Sequence, residues 1–280
     1  MTEAELLFTE ILNCDRLSLY RDRNLCLDKD KSALISSVLK RRILGEPLEY
    51  ILGKTEFIGL EFKVDKNVFI PRQDTEILVE AVIKFSSLVP RPSSLVTILE
   101  LGTGSGCIAV SLAKFIPNVK VIATDISREA INIAEENAIL NNVTGRIKFI
   151  HSDLFTEYGI RNTEYDLIVS NPPYVPAGEI EFLEPGISYE PRIALDGGAD
   201  GLDFYRRIVN EALRYLKKNG FLIMEIGFGQ KEAIENIFKK QKNLEIIEAI
   251  KDYNKIYRVI LVKKINLGKK RWINSLSRAA

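Results

Sequence analysis

The sequence predicts an α/β fold with a mostly parallel sheet, preceded by a small helical unit. Three observations support this. From Val96 onward, apolar runs of strand length alternate with helical patterns, as in βαβ units whose sheet is covered on both faces. Residues 2 to about 52 show helical periodicity instead. The length of 280 residues is near the size at which one hydrophobic core stops growing, which favours one large domain and one small one.

The amino-terminal unit carries two apolar stripes at helical spacing. Their residues are Leu6, Leu7, Ile11 and Leu12 on one stripe and Leu34, Ile35, Val38 and Leu39 on the other. Residues 1 to 90 hold 13 basic and 15 acidic side chains, a balance of 13 − 15 = −2. This balance suits docking of a protein partner better than phosphate binding. The alternative is that the unit only caps the larger domain.

Residues 53 to 71 predict a short β-hairpin, because apolar residues are punctuated there by Gly53 and Gly59. A helix follows, which we expect Asp74 or Thr75 to cap. The joint between the hairpin and this helix is a place where ligand loops often lie. We therefore expect three of its side chains to line a pocket: Phe69, Arg72 and Glu76.

The remaining elements follow in regular order after a loop at Ser86 to Ser94. We predict strand Val96–Leu101, a helix to Phe115, strand Val119–Thr124, helix Ser127–Asn137, strands Ile147–Ile150 and Asp166–Ser170, helix Leu202–Leu216, strand Phe221–Ile226, helix Lys231–Lys240, and strands Leu244–Ile250 and Ile256–Val262. The last two strands lack an intervening helix and predict an antiparallel hairpin. Residues 263 to 280 hold six basic and no acidic residues, which is typical of a frayed tail or of a secondary anion or RNA contact.

Composition limits the classes of function. A net charge of +1 provides no general field for nucleic acid, so we expect no direct nucleic-acid binding. No apolar run reaches about 18 residues, and we expect no membrane segment. The three cysteines (Cys14, Cys26 and Cys107) show neither disulfide nor metal-ligand spacing, which predicts reduced thiols, a cytoplasmic protein and no metal. The single histidine, His151, is interpreted as a packed or hydrogen-bonded residue.

A glycine-rich turn follows the first strand of the main fold and opens its first helix. Such a turn lets a ligand approach the backbone and leaves helix N–H groups free to bind it. Its spacing, Gly-x-Gly-x-Gly, differs from dinucleotide sites, and there is no Gly-Lys-Ser/Thr loop for an NTPase. At the next two strand ends, Asp125 suits ribose hydroxyls, while Asp153 and Leu154 suit an adenine ring. These parts predict a nucleoside site without phosphates, and its turn residues are Gly102, Thr103, Gly104, Ser105 and Gly106.

The segment Asn171-Pro172-Pro173-Tyr174 comes at the carboxyl end of the fourth strand, the edge where open α/β sheets bind ligands. Asn171 carries an amide oxygen, and the Pro172 carbonyl is expected to be free of local hydrogen bonds. Tyr174 adds a flat ring, so the segment presents two acceptors and a packing surface to a planar NH2 group. The alternative is a turn that only ends the strand.

These residues together resemble the class I S-adenosylmethionine-dependent methyltransferases and, more narrowly, the HemK/PrmC family. The resemblance runs from about Glu3 to Val262 and rests on the segments Arg42–Gly53, Phe69–Glu76, Leu101–Gly106, Asn171–Tyr174 and Glu190–Gly198. The first, second and last of these segments separate the family from other Asn-Pro-Pro-Tyr enzymes. Two departures are visible: Glu100 stands where aspartate is commoner, and Gln73 where proline is usual.

The resemblance implies a Rossmann-like seven-stranded sheet and transfer of a methyl group from S-adenosyl-L-methionine. The acceptor would be the glutamine side-chain nitrogen in the Gly-Gly-Gln motif of peptide chain release factors, the implied protein partner. Asn171 and Pro172 would bind the glutamine amide beside Pro173 and Tyr174, and Asn171 would also border the cofactor. The implied domains are 1–72 for substrate recognition with a hairpin linker, 73–263 for methyl transfer and 264–280 as a basic tail.

Two other functions use the same residues. An adenine or cytosine amino methyltransferase would need the same clamp, since those amines are also planar, but the sequence has no recognition domain for nucleic acid. A non-catalytic cofactor-binding adaptor would be expected to carry a degraded clamp. The long loop from Val175 to Asp200 favours a substrate-contacting or gating role, with Glu190 and Arg192 as an alternative structural ion pair.

Overall fold

The computed structural model describes residues 2–21, 27–87, 95–157, 159–160 and 163–265. The amino-terminal helices are α1 (Glu3–Leu12), α2 (Arg16–Arg21), α3 (Lys29–Ile43) and α4 (Leu48–Leu52). A capping box starts α1, in which the Thr2 hydroxyl accepts from Glu5 N while the Glu5 carboxylate accepts from Thr2 N. Only part of each predicted stripe is buried, namely Leu7 on α1 and Ile35 and Val38 on α3. The amino-terminal unit is too small to cover the remaining apolar residues of the two stripes.

The hairpin and the helix after it confirm the prediction for this region, except at the helix cap. Strands β1 (Lys54–Phe57) and β2 (Leu60–Lys63) pair antiparallel, and α5 spans Gln73–Ser86. The residue before α5 is Arg72, which makes no side-chain capping bond, so the prediction that Asp74 or Thr75 caps the helix is wrong. Both lie inside the first turn, where the neighbouring sheet supplies partners for them.

A seven-stranded sheet forms the main domain, with strand order β5-β4-β3-β6-β7-β9-β8. Its strands and helices are β3 (Val96–Leu101), α6 (Cys107–Phe115), β4 (Val119–Asp125), α7 (Arg128–Leu140), β5 (Ile147–His151), β6 (Tyr165–Ser170), α8 (Asp203–Tyr215), β7 (Leu216–Glu225), α9 (Lys231–Phe238), β8 (Leu244–Lys251) and β9 (Tyr257–Lys264). The first five strands in this order run parallel, and β9 inserts antiparallel between β7 and β8. The predicted final hairpin is therefore confirmed.

Hydrophobic clusters cover both faces of the sheet. One face packs against α5 and α6, and the other against α8 and α9. Adjacent residues of β3 illustrate the alternation, since Ile98 faces the first cluster and Leu99 the second. Every residue of β6 is buried, as expected for a central strand covered on both sides.

Differences from the predicted boundaries are small, apart from β7, which begins at Leu216 rather than Phe221. The loop positions 88–94, Cys26 and tail positions 266–280 lie outside the described residues. His151 is exposed, with its Nε2 2.8 Å from the Ile126 carbonyl oxygen, and so is hydrogen-bonded rather than packed. Among the described helices, none combines the length and the apolar character that crossing a membrane requires.

Candidate active site

A cavity of about 830 Å³ opens at the carboxyl ends of β3, β4 and β6 and extends to the joint before α5. Most residues predicted from sequence line it: Phe69, Arg72, Gly102, Thr103, Gly104, Ser105, Asp125, Asp153, Leu154, Asn171, Pro172, Pro173 and Tyr174. Parallel strands end at one edge of a sheet, so this convergence follows from the topology. Gly106 and Glu76 are not among the lining residues.

The two residues outside the cavity wall have structural contacts. Gly106 has φ of +80°, and a Cβ there would lie 2.9 Å from Ala134 Cβ, so this glycine permits α6 and α7 to pack closely. Glu76 Oε1 accepts a hydrogen bond of 2.7 Å from Ile58 N and ties α5 to the hairpin turn. The sequence predicts Glu76 in the pocket, but its side chain lies outside the cavity wall and connects α5 to the hairpin.

The cofactor side is the name we use for the wall formed by residues 101–105 and Asp125. The loop is held by Thr124, whose carbonyl accepts from Gly102 N at 2.9 Å and from Thr103 N at 2.8 Å. Gly102 and Gly104 have φ of +75° and +55°, and no atom of the described residues would lie within 4 Å of a Cβ at either position. The space in front of both glycines is open to a ligand.

Glu100 lies behind this loop with its side chain fully buried. Thr103 Oγ1 donates to Glu100 Oε2 at 2.8 Å, while Oε1 has no hydrogen-bond partner in the described part of the chain. Burial is the main cause that raises the pKa of Glu100 to about 8, and the nearby charge of Asp125 adds to it. Because this side chain is inaccessible and does not line the cavity, a charged Glu100 would act on a cation bound in front of the loop through its electric field rather than by contact.

Asp125 and Asp153 differ in how far their carboxylates are already engaged. Asp125 accepts from Gly104 N at 2.8 Å and from Ser127 N at 2.9 Å, and burial raises its pKa despite these bonds. Asp153 lines the cavity, but both its oxygens accept from Arg207 Nη2 at 2.7 Å. An adenine group would therefore meet a carboxylate that is neutralised by an arginine.

The acceptor side is the wall formed by Asn171–Tyr174 with Thr75 and Arg258, and Glu225 is buried beside it. Asn171 Nδ2 donates to Thr75 Oγ1 at 3.2 Å, which leaves Asn171 Oδ1 as the free end of the amide. Within the described part of the chain, the Pro172 carbonyl accepts no hydrogen bond. The sequence-predicted pair of acceptors is thus present on one wall of the cavity.

Tyr174 is held by close backbone packing. Its carbonyl accepts from Gln230 Nε2 at 2.8 Å. A Cβ at Gly201 would lie 2.3 Å from Tyr174 O, one at Gly197 2.8 Å from Tyr174 Cα, and one at Gly227 2.9 Å from Tyr174 Cδ2. Burial raises the pKa of the Tyr174 hydroxyl to about 12, so the ring packs as a neutral phenol.

An ion pair ties the long loop to the joint before α5. The buried Glu190 carboxylate accepts from Arg72 and, at 3.2 Å, from Ile70 N. Arg192 instead pairs with Asp196 at 3.2 Å, so the alternative Glu190–Arg192 pair is wrong. The loop folds back on itself and contributes apolar residues to the cavity: Leu183, Ile187, Pro191, Ile193 and Leu195.

Sequence reasoning misses two residues of the acceptor side and one that is buried beside it. It interprets Thr75 as a helix cap and does not single out Glu225 or Arg258. Glu225 ends the apolar run of β7 at the ligand-binding edge, so a polar residue after four apolar ones is an available signal. Arg258 lines the cavity and pairs with Asp74 at 2.7 Å, a contact that depends on where β9 inserts.

Comparison with known proteins identifies related chains. The family model described as Methyltransferase small domain matches residues 73–183, and the one described as PrmC N-terminal domain matches residues 1–53. A Release factor glutamine methyltransferase from Geobacter sulfurreducens is 41% identical, covering 92% of this chain and 87% of the relative. One from Thermodesulfovibrio yellowstonii is 39% identical, covering 94% and 92%. A Bifunctional methyltransferase from Rickettsia felis is 40% identical, and the match covers 95% of this chain and 55% of that protein.

Solved structures share the fold at low identity. The hMettl16 catalytic domain in complex with the MAT2A 3′UTR hairpin 1 has a TM-score of 0.60 at 15% identity, covering 85% of this chain and 82% of that one. The ribosomal protein L11 methylase of Lactobacillus delbrueckii subsp. bulgaricus has a TM-score of 0.52 at 20% identity, covering 72% and 84%. These neighbours confirm the class I methyltransferase fold. The identity to relatives matched over most of their length goes further and confirms the resemblance found in the sequence: the chain belongs to the HemK/PrmC family of release factor glutamine methyltransferases.

Proposed function

We propose that this protein transfers a methyl group from S-adenosyl-L-methionine to the side-chain amide nitrogen of the glutamine in the Gly-Gly-Gln motif of peptide chain release factors. The observation that carries the proposal is the pair of unsatisfied acceptors, Asn171 Oδ1 and the Pro172 carbonyl, on one wall of the cavity. A primary amide has two N–H bonds, and these acceptors match them in number and kind. The names of the relatives matched over most of their length supply the substrate class.

The cofactor side fits S-adenosyl-L-methionine. Glu100, buried behind the glycine loop, would attract a ligand cation when charged, and the two open glycines leave room for close approach. Asp125 would accept from ribose hydroxyls, and Leu154 would pack against adenine. When bound, the cofactor supplies a methyl group activated by a sulfonium.

The acceptor side would supply orientation rather than basicity. An amide nitrogen shares its lone pair with the carbonyl and is a poor nucleophile, so its position relative to the methyl donor decides the rate. By accepting both N–H bonds, Asn171 and Pro172 would fix the plane of the amide. Positive charge develops on the nitrogen during transfer, so these bonds strengthen in the transition state and lower the barrier.

Docking of the release factor would use the helical unit and the long loop. The loop lines the cavity with apolar residues, and Glu190 fixes it to Arg72 at the joint. A protein substrate of translation also implies a cytoplasmic location. The unit's slight acidity is consistent with a protein partner and with no direct contact to nucleic acid.

One incubation tests this function. Purified protein and methyl-labelled cofactor are mixed with a release factor, with its variant in which the motif glutamine is changed to alanine, and with nucleic acid. We expect label in the release factor alone, lost with the glutamine. Label in nucleic acid only would favour an adenine or cytosine amino methyltransferase, and no label in any sample would favour a non-catalytic adaptor.

A further inference from the structure

The direction in which the Asn171 amide points decides whether the acceptor side works. The amide has an oxygen at one end and an NH2 group at the other. If Oδ1 faces the cavity, it accepts from the substrate amide. If the group turns over, a donor faces a donor and the bond is lost. Something outside the Asn171 side chain must therefore set its orientation.

Two neighbours lie behind Asn171 in the protein interior. In the parallel pair of β6 and β7, Ser170 pairs with Met224, so the next residues, Asn171 and Glu225, lie side by side at the sheet edge. Thr75, in the first turn of α5, brings its hydroxyl 3.2 Å from Asn171 Nδ2. Thr75 and Glu225 are almost fully buried, at 2% and 3% exposure.

The Glu225 carboxyl is not part of an ordinary ion pair in the described part of the chain. Arg258, whose charge acts on Glu225, has its guanidinium paired with Asp74 at 2.7 Å and Asp252 at 3.0 Å. Among the described residues, Glu225 forms no salt bridge, and its Oε2 is buried without a hydrogen-bond partner. Thr75 and Asn171 are the polar side chains beside its carboxyl, and both lower its pKa by acting as hydrogen-bond donors. Burying a carboxyl without a salt bridge lowers the stability of the fold, and proteins retain such groups where they have a function.

We propose that Glu225 and Thr75 are positioning residues for Asn171: they hold its Nδ2 inward and thereby turn its Oδ1 toward the acceptor nitrogen. This inference rests on the proposed function. An ionised carboxylate only accepts hydrogen bonds, so it attracts the NH2 end of the amide and repels the oxygen end. The Thr75 hydroxyl accepts from Asn171 Nδ2 at 3.2 Å and lies beside Glu225, to which its own proton would be donated.

The charge state of Glu225 gives the arrangement a pH dependence. Burial is the main cause that raises the pKa of Glu225 to about 7, opposed by the Thr75 hydrogen bond and the Arg258 charge. When Glu225 is protonated, its carboxyl gains an O–H donor and no longer favours the NH2 end of the Asn171 amide. The orientation of the Asn171 amide should therefore be less fixed below about pH 7. The other titratable groups facing it are Arg258, Asp74, Tyr174, Tyr205 and Cys107. Burial raises the pKa of Tyr174 and of Cys107 to about 12, far from this range.

A matched pair of variants at Thr75 tests the proposal. Thr75→Val keeps the shape but removes the hydroxyl, while Thr75→Ser keeps the hydroxyl. With a release factor as substrate, we expect Thr75→Val to lower kcat by about tenfold to a hundredfold, and Thr75→Ser to remain within about threefold of wild type. The release-factor KM and the cofactor Kd should stay nearly unchanged in both, because the lost bond acts in the transition state. Equal kcat in Thr75→Val and wild type would overturn the proposal.

Glu225→Gln tests the charge. The wild-type kcat should rise with pH through about 7, and this rise should be absent in Glu225→Gln. An unchanged rise would show that another group titrates and would overturn the part assigned to Glu225.

A second readout does not need the release factor. The NMR signals of the Asn171 side-chain NH2, assigned by their loss in Asn171→Ala, should shift with pH through about 7 in wild type and not in Glu225→Gln. If wild type does not methylate release factors, the proposed function fails while these signals still decide the orientation. If wild type is active but the NH2 signals do not respond to pH or to Thr75→Val, the positioning role fails alone.

Discussion

The two walls of the cavity use glycine in opposite ways. On the cofactor side, Gly102 and Gly104 have positive φ, and a Cβ at either position would have no described atom within 4 Å. On the acceptor side, Gly197, Gly201 and Gly227 leave no such space, because each would drive a Cβ to within 3 Å of Tyr174 or its neighbours. One wall is open toward a ligand, and the other is packed against its own scaffold.

This difference separates binding from alignment. A small molecule that must enter and leave needs accessible backbone, which the cofactor side provides at Gly102 and Gly104. A weak nucleophile such as an amide nitrogen needs hydrogen-bond acceptors in fixed positions, because a displacement of about 1 Å lowers the rate. Variants on the two walls should accordingly affect different constants.

Asn171→Ala is expected to give the largest effect. Removing an acceptor that strengthens in the transition state should lower kcat by about a hundredfold to a thousandfold, as for loss of an oxyanion-hole donor. The cofactor Kd from calorimetry should change little. Asn210→Ala, on an exposed part of α8, is the control and should retain wild-type kcat. A near-normal kcat for Asn171→Ala would contradict the role of the acceptor pair.

Gly201→Ala should mainly affect stability. Gly201 has φ of +72° and its Cβ would meet Tyr174 O, so we expect a loss of about 3 kcal/mol or more in the free energy of unfolding from overpacking and backbone strain. Gly59→Ala is a matched control, since Gly59 has φ of +74° in open space and should lose only about 1–2 kcal/mol. Denaturant titration measures both, and equal losses would show that contact with Tyr174 does not matter.

Asp125→Ala should act on the other wall. It removes the acceptor of Gly104 N and Ser127 N and the expected ribose contact, so the cofactor Kd should rise by about tenfold to a hundredfold. At saturating cofactor, kcat should stay close to wild type. Asp30→Ala, exposed on α3, serves as the control. A large fall in kcat with unchanged Kd would remove the distinction between the walls.

We expect the smallest effect at Glu100, where cofactor binding should change the number of protons bound to the protein. Its pKa of about 8 means that it is mostly protonated at pH 7 in the free protein. A cofactor cation stabilises the charged form, so binding should release close to one proton, and cofactor affinity should rise as pH rises toward 8. Calorimetry in buffers of different ionisation enthalpy measures the release. It should vanish in Glu100→Gln and persist in Glu225→Gln, whereas equal release in all three would exclude Glu100 as its source.

Local patterns are sufficient to predict most of the fold. Burial on both faces gives β6 its apolar centre, Leu167–Val169, and the open glycines and Asn171 follow strands whose ends the pattern marks clearly. What cannot be predicted depends on contacts between segments far apart in the chain. Thr75 has the chemistry of a cap, and only the packing of α5 on the sheet gives its hydroxyl a different partner. Likewise, Arg72 rather than Arg192 reaches Glu190 because the long loop folds back to the joint.

The insertion of β9 has a consequence during synthesis. Tyr257–Lys264 is the last described strand along the chain, yet it lies between β7 and β8 and brings Arg258 to Asp74 beside the cavity. A nascent polypeptide that has already exposed Asn171 to solvent still lacks this strand while residues 257–264 remain in the ribosomal exit tunnel. The acceptor side therefore gains Arg258 and its ion pair with Asp74 only after β9 has been translated.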